Sequence, residues 1–115
     1  MMVYSADGFE KMSNCYHKAV REHVCRGRFK LERRPVLINN WEATYFNFTE
    51  EKLLQLASRA QKCGIELFVL DDGWFGARSS SKAGLGDWEA NRDRLPNGLS
   101  GLAQKIEALG MKFGL

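Results

Sequence analysis

No apolar run approaches the ~20 residues that would span a bilayer, so no membrane helix is expected. The start, Met1-Met2-Val3-Tyr4-Ser5, lacks both the basic segment and the apolar core of a secretory signal peptide, and the expectation is a cytoplasmic protein. Cysteine is scarce and odd in number. Cys15, Cys25 and Cys63 stand far apart, without the C-x-x-C spacing of a redox or metal motif, and a reducing compartment is the simplest setting for them. Histidine is limited to His17 and His23, whose spacing from Cys15 and Cys25 fits no zinc pattern. These four read as helix-face residues. Nor does one sign of charge dominate: the formal net charge is +3, with Arg26, Arg28, Lys30, Arg33 and Arg34 supplying much of the excess. A nucleic-acid partner would need a basic face on a recognisable module. The basic run reads instead as a solvated connection.

What is present is ordinary globular material. The 115 residues are 44% hydrophobic and 27% charged, which excludes disorder and fits one small domain. The chain is organised around Ile65-Glu66-Leu67-Phe68-Val69-Leu70-Asp71-Asp72-Gly73-Trp74. This apolar run is flanked by Gly64 and Gly73 and is too short for a helix, so it reads as a buried strand that ends in two adjacent carboxylates.

The rest of the chain places that strand. Phe9, Met12, Tyr16, Val20 and Val24 recur at helical spacing, with Asp7 or Gly8 as the start and Gly27 as the stop. Val36-Leu37-Ile38 follows Pro35 as a first strand ending at Asn39-Asn40-Trp41-Glu42, and an aromatic loop runs from Ala43 to Phe48. Thr49 caps a helix with Glu50 and Glu51 in its first turn, a buried face of Leu53, Leu56, Ala57 and Ala60, and Gly64 at its end. Beyond the central strand, Gly73 to about Gly98 forms a long loop that carries Trp74, Phe75 and Trp88. A loop of that length in a compact domain is usually functional or disordered, and its tryptophans oppose disorder. Leu99, Leu102, Ile106 and Leu109 then mark a helix that stops at Gly110, before a third strand from Met111 to Leu115.

Helix, glycine stop and immediate strand thus occur twice, which is the unit of a parallel α/β sheet. Three such strands suit a doubly wound sheet or a barrel, and a (β/α)8 barrel needs about 250 residues. The chain is expected to be a fragment of something longer and, taken alone, only marginally stable.

Ligands of parallel sheets sit just past the carboxyl ends of the strands, so Asp71 and Asp72 are candidates. A glycosidase acid and base lie about 5 to 10 Å apart across the scissile bond. Sequence neighbours suit that geometry poorly, but they suit a clamp whose carboxylates accept from different hydroxyls of one ligand. That clamp requires the strand end to bend, since alternation would aim only one of them inward. Trp41 ends the preceding strand near the same rim, and an indole offers apolar area to a pyranose face. Sugar binding is the reading these three residues favour. A hard cation on Asp71 and Asp72 is the other, and an Asp-Asp-Gly turn is the plain structural one.

Three motifs in order carry a resemblance: Arg34-Pro35-Val36-Leu37-Ile38-Asn39-Asn40-Trp41-Glu42-Ala43, Leu70-Asp71-Asp72-Gly73-Trp74-Phe75, and Gly86-Asp87-Trp88 with Leu95-Pro96-Asn97-Gly98-Leu99. Together they resemble the bacterial α-galactosidases of glycoside hydrolase family thirty-six, the melibiase type. The resemblance implies a partial TIM barrel, with the first two βα units and the start of the third strand in residues 35–115. Residues 1–34 would be a helical connection following an N-terminal β-sandwich. It further implies hydrolysis of terminal α-linked galactose from sugars such as melibiose and raffinose, with retention, by two aspartates on later strands that this chain does not include. The chain alone is therefore expected to be inactive, and neither metal nor cofactor is expected. Trp41, Asp71 and Asp72 match the galactose-binding residues, and Trp74 and Trp88 receive no assigned contact. The full-length enzyme would be a homo-oligomer. Raffinose synthase, α-N-acetylgalactosaminidase and a non-catalytic carbohydrate-binding or inert fragment remain as alternatives.

Overall fold

The computed structural model describes residues 2–82 and 84–115. It divides into two compact units, Met1–Arg34 and Pro35–Leu115. In the first, α1 spans Phe9–Ala19 and continues as a π-helical turn over Val20–Val24, closed by the Cys25 N–H donating to Val20 O at 2.9 Å. The helix thus ends before Gly27, where the stop was expected. A 3-10 turn follows at Arg28–Lys30. The apolar stripe is real as a pattern but is not a core, because Phe9, Tyr16 and Val24 are 83%, 46% and 61% exposed.

In the second unit the order is β1 (Leu37–Asn39), α2 (Trp41–Thr44), α3 (Glu50–Lys62), β2 (Leu67–Val69), α4 (Gly98–Ala108) and β3 (Lys112–Gly114). The strands form one sheet, β1-β2-β3, wholly parallel. In its register Ile38, Phe68 and Phe113 lie side by side, and period-two alternation puts them on one face. Both α3 and α4 cover that face. Leu53, Ala57 and Ala60 from α3 share one core cluster with Leu102 and Ile106 from α4, closed by Phe48, Leu70, Leu95 and Met111. Full burial of a Leu, Ile or Phe side chain stabilises by about 1.5–3 kcal/mol, so this cluster supplies most of what holds the unit together. Leu37, on the opposite face, is half exposed.

Thr49 caps α3 by accepting from the Lys52 N–H at 3.3 Å, a contact of a type that contributes about 1 kcal/mol. Leu56, expected in the buried face of this helix, is only partly buried. The first strand also departs from expectation. It stops at Asn39, and Trp41 opens a short helix where a strand end and an aromatic loop were anticipated. Asn40 is the cause, since its carbonyl accepts from the N–H groups of Ala43 and Thr44 at 3.0 and 3.1 Å. Its side chain is fully buried, donates to Thr44 Oγ1 at 2.8 Å and accepts from the Asp71 N–H at 2.7 Å. One asparagine therefore turns the chain and ties β1 to the end of β2.

Glu50 links the two helices. It accepts from Lys105 Nζ, and from Asn97 Nδ2 at 3.4 Å. The Lys105 contact holds its carboxyl below the ordinary glutamate value of 4.5, against the opposing effect of burial. A carboxylate depressed on folding stabilises fully above its unfolded value and loses that contribution as pH falls through the lower folded value. Glu50→Gln is therefore expected to reduce stability at neutral pH and to flatten its decline on acidification. Chemical denaturation of both proteins over a series of pH values checks this.

No helix among the described residues is long and apolar enough to cross a membrane.

Candidate functional site

At the carboxyl end of β2 the backbone leaves the sheet with Asp71 and Asp72 in succession. Asp71 is anchored from two sides. Its Oδ2 accepts from Asn39 Nδ2 at 2.6 Å, and its Oδ1 accepts from the Asp72 N–H at 2.7 Å. Asn39 in turn accepts the Trp41 N–H at Oδ1, 2.8 Å away. The end of β1 therefore places Trp41 and Asp71 together through one shared amide.

Asp72 is anchored differently. Its Oδ1 accepts from the Gly73 N–H at 2.6 Å and from Arg78 Nε at 2.5 Å, and its Oδ2 accepts from Arg78 Nη2 at 2.6 Å. This forked pair is the geometry in which guanidinium and carboxylate bind most strongly. It draws the Asp72 carboxyl below its ordinary value, the Arg78 hydrogen bond being the largest cause and burial opposing it. The Arg78 side chain is 5% exposed and that of Asp72 23%. The guanidinium also lies over two rings, 5.8 Å from the Phe46 centroid and 5.7 Å from that of Phe75.

Phe46 joins the two halves of the site. Trp41 packs edge-to-face with it at 5.0 Å and with Tyr45 at 5.2 Å. Tyr45 adopts φ 46, and its hydroxyl donates to Glu42 Oε2 at 3.0 Å. Such a backbone is strained for a bulky residue and persists only where its surroundings hold it. Gly73, at φ 92, closes the arrangement from below. A Cβ there would stand 2.9 Å from both Phe46 Cδ1 and Arg94 Nη1.

The long loop is ordered by pairing its own ends. Phe75 bridges Ala90, the Gly76 N–H donates to Glu89 O, and the Asn91 N–H donates to Trp74 O. Arg94 donates from Nη1 to the carbonyls of Gly73 and Arg78. Trp88 packs at a tilt against Phe75, with ring centroids 4.6 Å apart, yet stays 61% exposed, while Trp74 packs against the core cluster. Asp71 and Asp72 line a cavity of about 430 Å³ with Trp74, Phe75 and Trp88. Trp41 is not in that lining. It reaches the carboxylates through Asn39 and Phe46.

The sequence singled out Trp41, Asp71 and Asp72 but missed the residues that hold them, namely Asn39, Asn40, Phe46 and Arg78. Arg78 had one available signal: it is the first cation after the carboxylate pair, six positions beyond Asp72 among small residues. No three His, Cys, Asp or Glu side chains among the described residues gather as a metal site.

A lone-pair count states what the arrangement can do. A carboxylate offers about four acceptor positions. Among the described residues Asp71 uses one on each oxygen, while Asp72 uses both on Oδ1 and one on Oδ2. Asp71 can thus accept two further hydroxyls and Asp72 one, a donor-hungry surface beside aromatic rings.

Comparison with known proteins gives a consistent result. The family model described as Melibiase matches residues 1–115. The chain is 55% identical over 115 residues to the alpha-galactosidase AgaA of Geobacillus stearothermophilus, covering 100% of this chain and 16% of that protein. A crystal structure of an AgaA variant in complex with stachyose superposes with a TM-score of 0.93 at 54% identity, covering 99% of this chain and 16% of that one. A second AgaA variant, in complex with raffinose, gives 0.87 at 55% identity over 90% of this chain and 14% of that one. The chain thus spans about one sixth of the length of such relatives, and it belongs to the Melibiase family.

Proposed function

We propose that these 115 residues are a segment of a retaining α-galactosidase that removes terminal α-linked galactose from oligosaccharides such as raffinose and melibiose. In this reading Pro35–Leu115 begins a (β/α)8 barrel, and Met1–Arg34 connects it to a preceding β-sandwich. Sequential parallel strands with α3 and α4 on one face support the barrel, which carries its sites at the carboxyl ends of its strands.

Trp41, Asp71 and Asp72 form part of the galactose subsite. The observation that carries this is the pair of carboxylates fixed at the end of the central strand with acceptor positions left open, tied through Asn39 to an indole. A sugar presents hydroxyl donors on its rim and C–H groups on its face, and this surface offers the complement of both. The galactosyl group is transferred by residues elsewhere. An aspartate outside this chain attacks the anomeric carbon while a second protonates the leaving oxygen, then activates water against the covalent glycosyl intermediate. No metal or cofactor enters that sequence. The full-length protein acts in the cytoplasm as a homo-oligomer.

The test is galactose release from raffinose by the full-length protein that carries this segment, followed by NMR to establish the anomer first formed. Release of the α-anomer is expected. Trp41→Ala is expected to raise KM about fivefold, as loss of an aromatic contact costs about 1 kcal/mol. Absence of galactose release by the unmodified protein would remove the reading.

A further inference from the structure

Arg78 takes no part in the three-residue subsite just described, yet it is the most enclosed cation near it. Its guanidinium is forked onto Asp72 and held over Phe46 and Phe75. Its backbone is fixed as well: its carbonyl accepts from Arg94 at 3.0 Å, and a Cβ on Gly84 would lie 3.2 Å from Arg78 Cβ. Few surface ion pairs receive such support, and an exposed pair would do little.

We propose that Arg78 is a positioning residue for the galactose subsite, fixing the Asp72 carboxylate so that only one acceptor position, on Oδ2, faces the sugar. This rests on the α-galactosidase reading. Without the fork, Asp72 could rotate about its side-chain bonds and offer either oxygen. With it, Oδ1 is filled by Arg78 and Gly73, and one hydroxyl is read in one direction. Selectivity between sugars that differ in one hydroxyl follows from such an unambiguous acceptor, because the wrong epimer leaves it unpaired.

Phe46 gives the device a second consequence. It packs against Trp41 on one side and under Arg78 on the other. Removing the guanidinium therefore loosens the support of the indole along with that of the carboxylate. The charged groups around Asp72 are Arg78, the adjacent Asp71, and Arg94 through the Gly73 carbonyl; Asp87 shares a separate cavity with Arg78. Arg78 does most to lower the Asp72 carboxyl, with the Gly73 N–H adding to it, so loss of the guanidinium raises it. Galactose binding would then fail at a higher pH on acidification.

The experiment uses the full-length protein with raffinose as substrate, measuring kcat and KM across pH for the unmodified enzyme, Arg78→Met, Arg78→Lys and Asp72→Asn. Arg78→Met is expected to raise KM by about tenfold or more, with a smaller change in kcat, and to move the acid limb of kcat/KM to higher pH. Arg78→Lys keeps the charge but cannot fork, so it should restore the acid limb while leaving KM raised several-fold. Asp72→Asn added to Arg78→Met should cost little more, since the two act on one interaction. If Arg78→Met does not fold, Arg78→Lys alone decides through its KM. Folded variants with the KM and acid limb of the unmodified enzyme would overturn the role of Arg78 alone. A full-length protein that releases no galactose would overturn this role together with the α-galactosidase reading.

Discussion

Asp71→Asn is expected to lower kcat/KM for an α-galactoside by about two orders of magnitude or more in the full-length protein, a larger loss than Asp72→Asn produces. The difference comes from their anchoring. Asp71 has one acceptor position open on each oxygen, whereas Asp72 has one in all. A hydrogen bond to a charged group contributes about 1.5–3 kcal/mol. The amide keeps one accepting oxygen and replaces the other by NH2, so one such bond is lost, the other loses its charge, and an N–H donor is left facing NH2, together roughly 3 kcal/mol or a hundredfold. The amide also disrupts its own support. Both Asp71 oxygens receive N–H donors, from Asn39 and from the Asp72 backbone, and an Asn side chain must turn its NH2 toward one of them. Asn39 cannot flip in compensation, because its oxygen holds the Trp41 N–H. Steady-state kinetics on raffinose, with galactose affinity by calorimetry, measure the effect. A kcat/KM within about threefold of the unmodified enzyme would take Asp71 out of the subsite.

The same anchoring explains which parts of the site could be read from the chain. Two acids after an apolar run are visible in one dimension, as is a tryptophan after the run before it. Their supports come from other parts of the chain. Asn39 lies 32 residues from Asp71, and Arg78 belongs to a loop with no periodicity to fix where its side chain goes. The concern that successive strand residues would point apart was justified for a regular strand. The regular pairing of β2 ends at Val69, however, and the hydrogen bonds of Asn40 and Arg78 shape the two positions that follow.

The order of elements was legible because hydrophobic spacing and glycine stops act locally. The register of β1 on β2 and β2 on β3, and the gathering of Leu53, Ala57, Leu102 and Ile106, follow from faces that the spacing already marked. Two features were not legible. Trp41 was assigned to a strand end, whereas Asn40 starts a helical turn there. The stripe of α1 marks a face that would be favourable to bury, but spacing alone names no partner for it, and Phe9, Tyr16 and Val24 stay exposed.

Phe68→Ala is expected to destabilise the Pro35–Leu115 unit by about 3–5 kcal/mol, the range for truncating a buried aromatic. Phe68 is fully buried in the middle strand, between Ile38 and Phe113 in register and beneath both helices. Its removal opens a cavity that the α3 and α4 contacts must collapse into. Domains carry only about 5–15 kcal/mol in total, so this one change can consume most of the margin. Phe68→Leu keeps much of the volume and should cost under about 1.5 kcal/mol. Leu37→Ala gives the opposite case, since Leu37 is 54% exposed on the far face of the sheet. In the 115-residue chain it should cost well under 1 kcal/mol, roughly that of a surface change. In a full-length protein whose barrel closes over that face, the same substitution should rise to the ~2–5 kcal/mol of a buried leucine. Denaturant titration of both forms measures the pair. A Leu37→Ala cost equally small in both would mean that the far face of the sheet stays uncovered, and the barrel proposal would fall while the core around Phe68 stood.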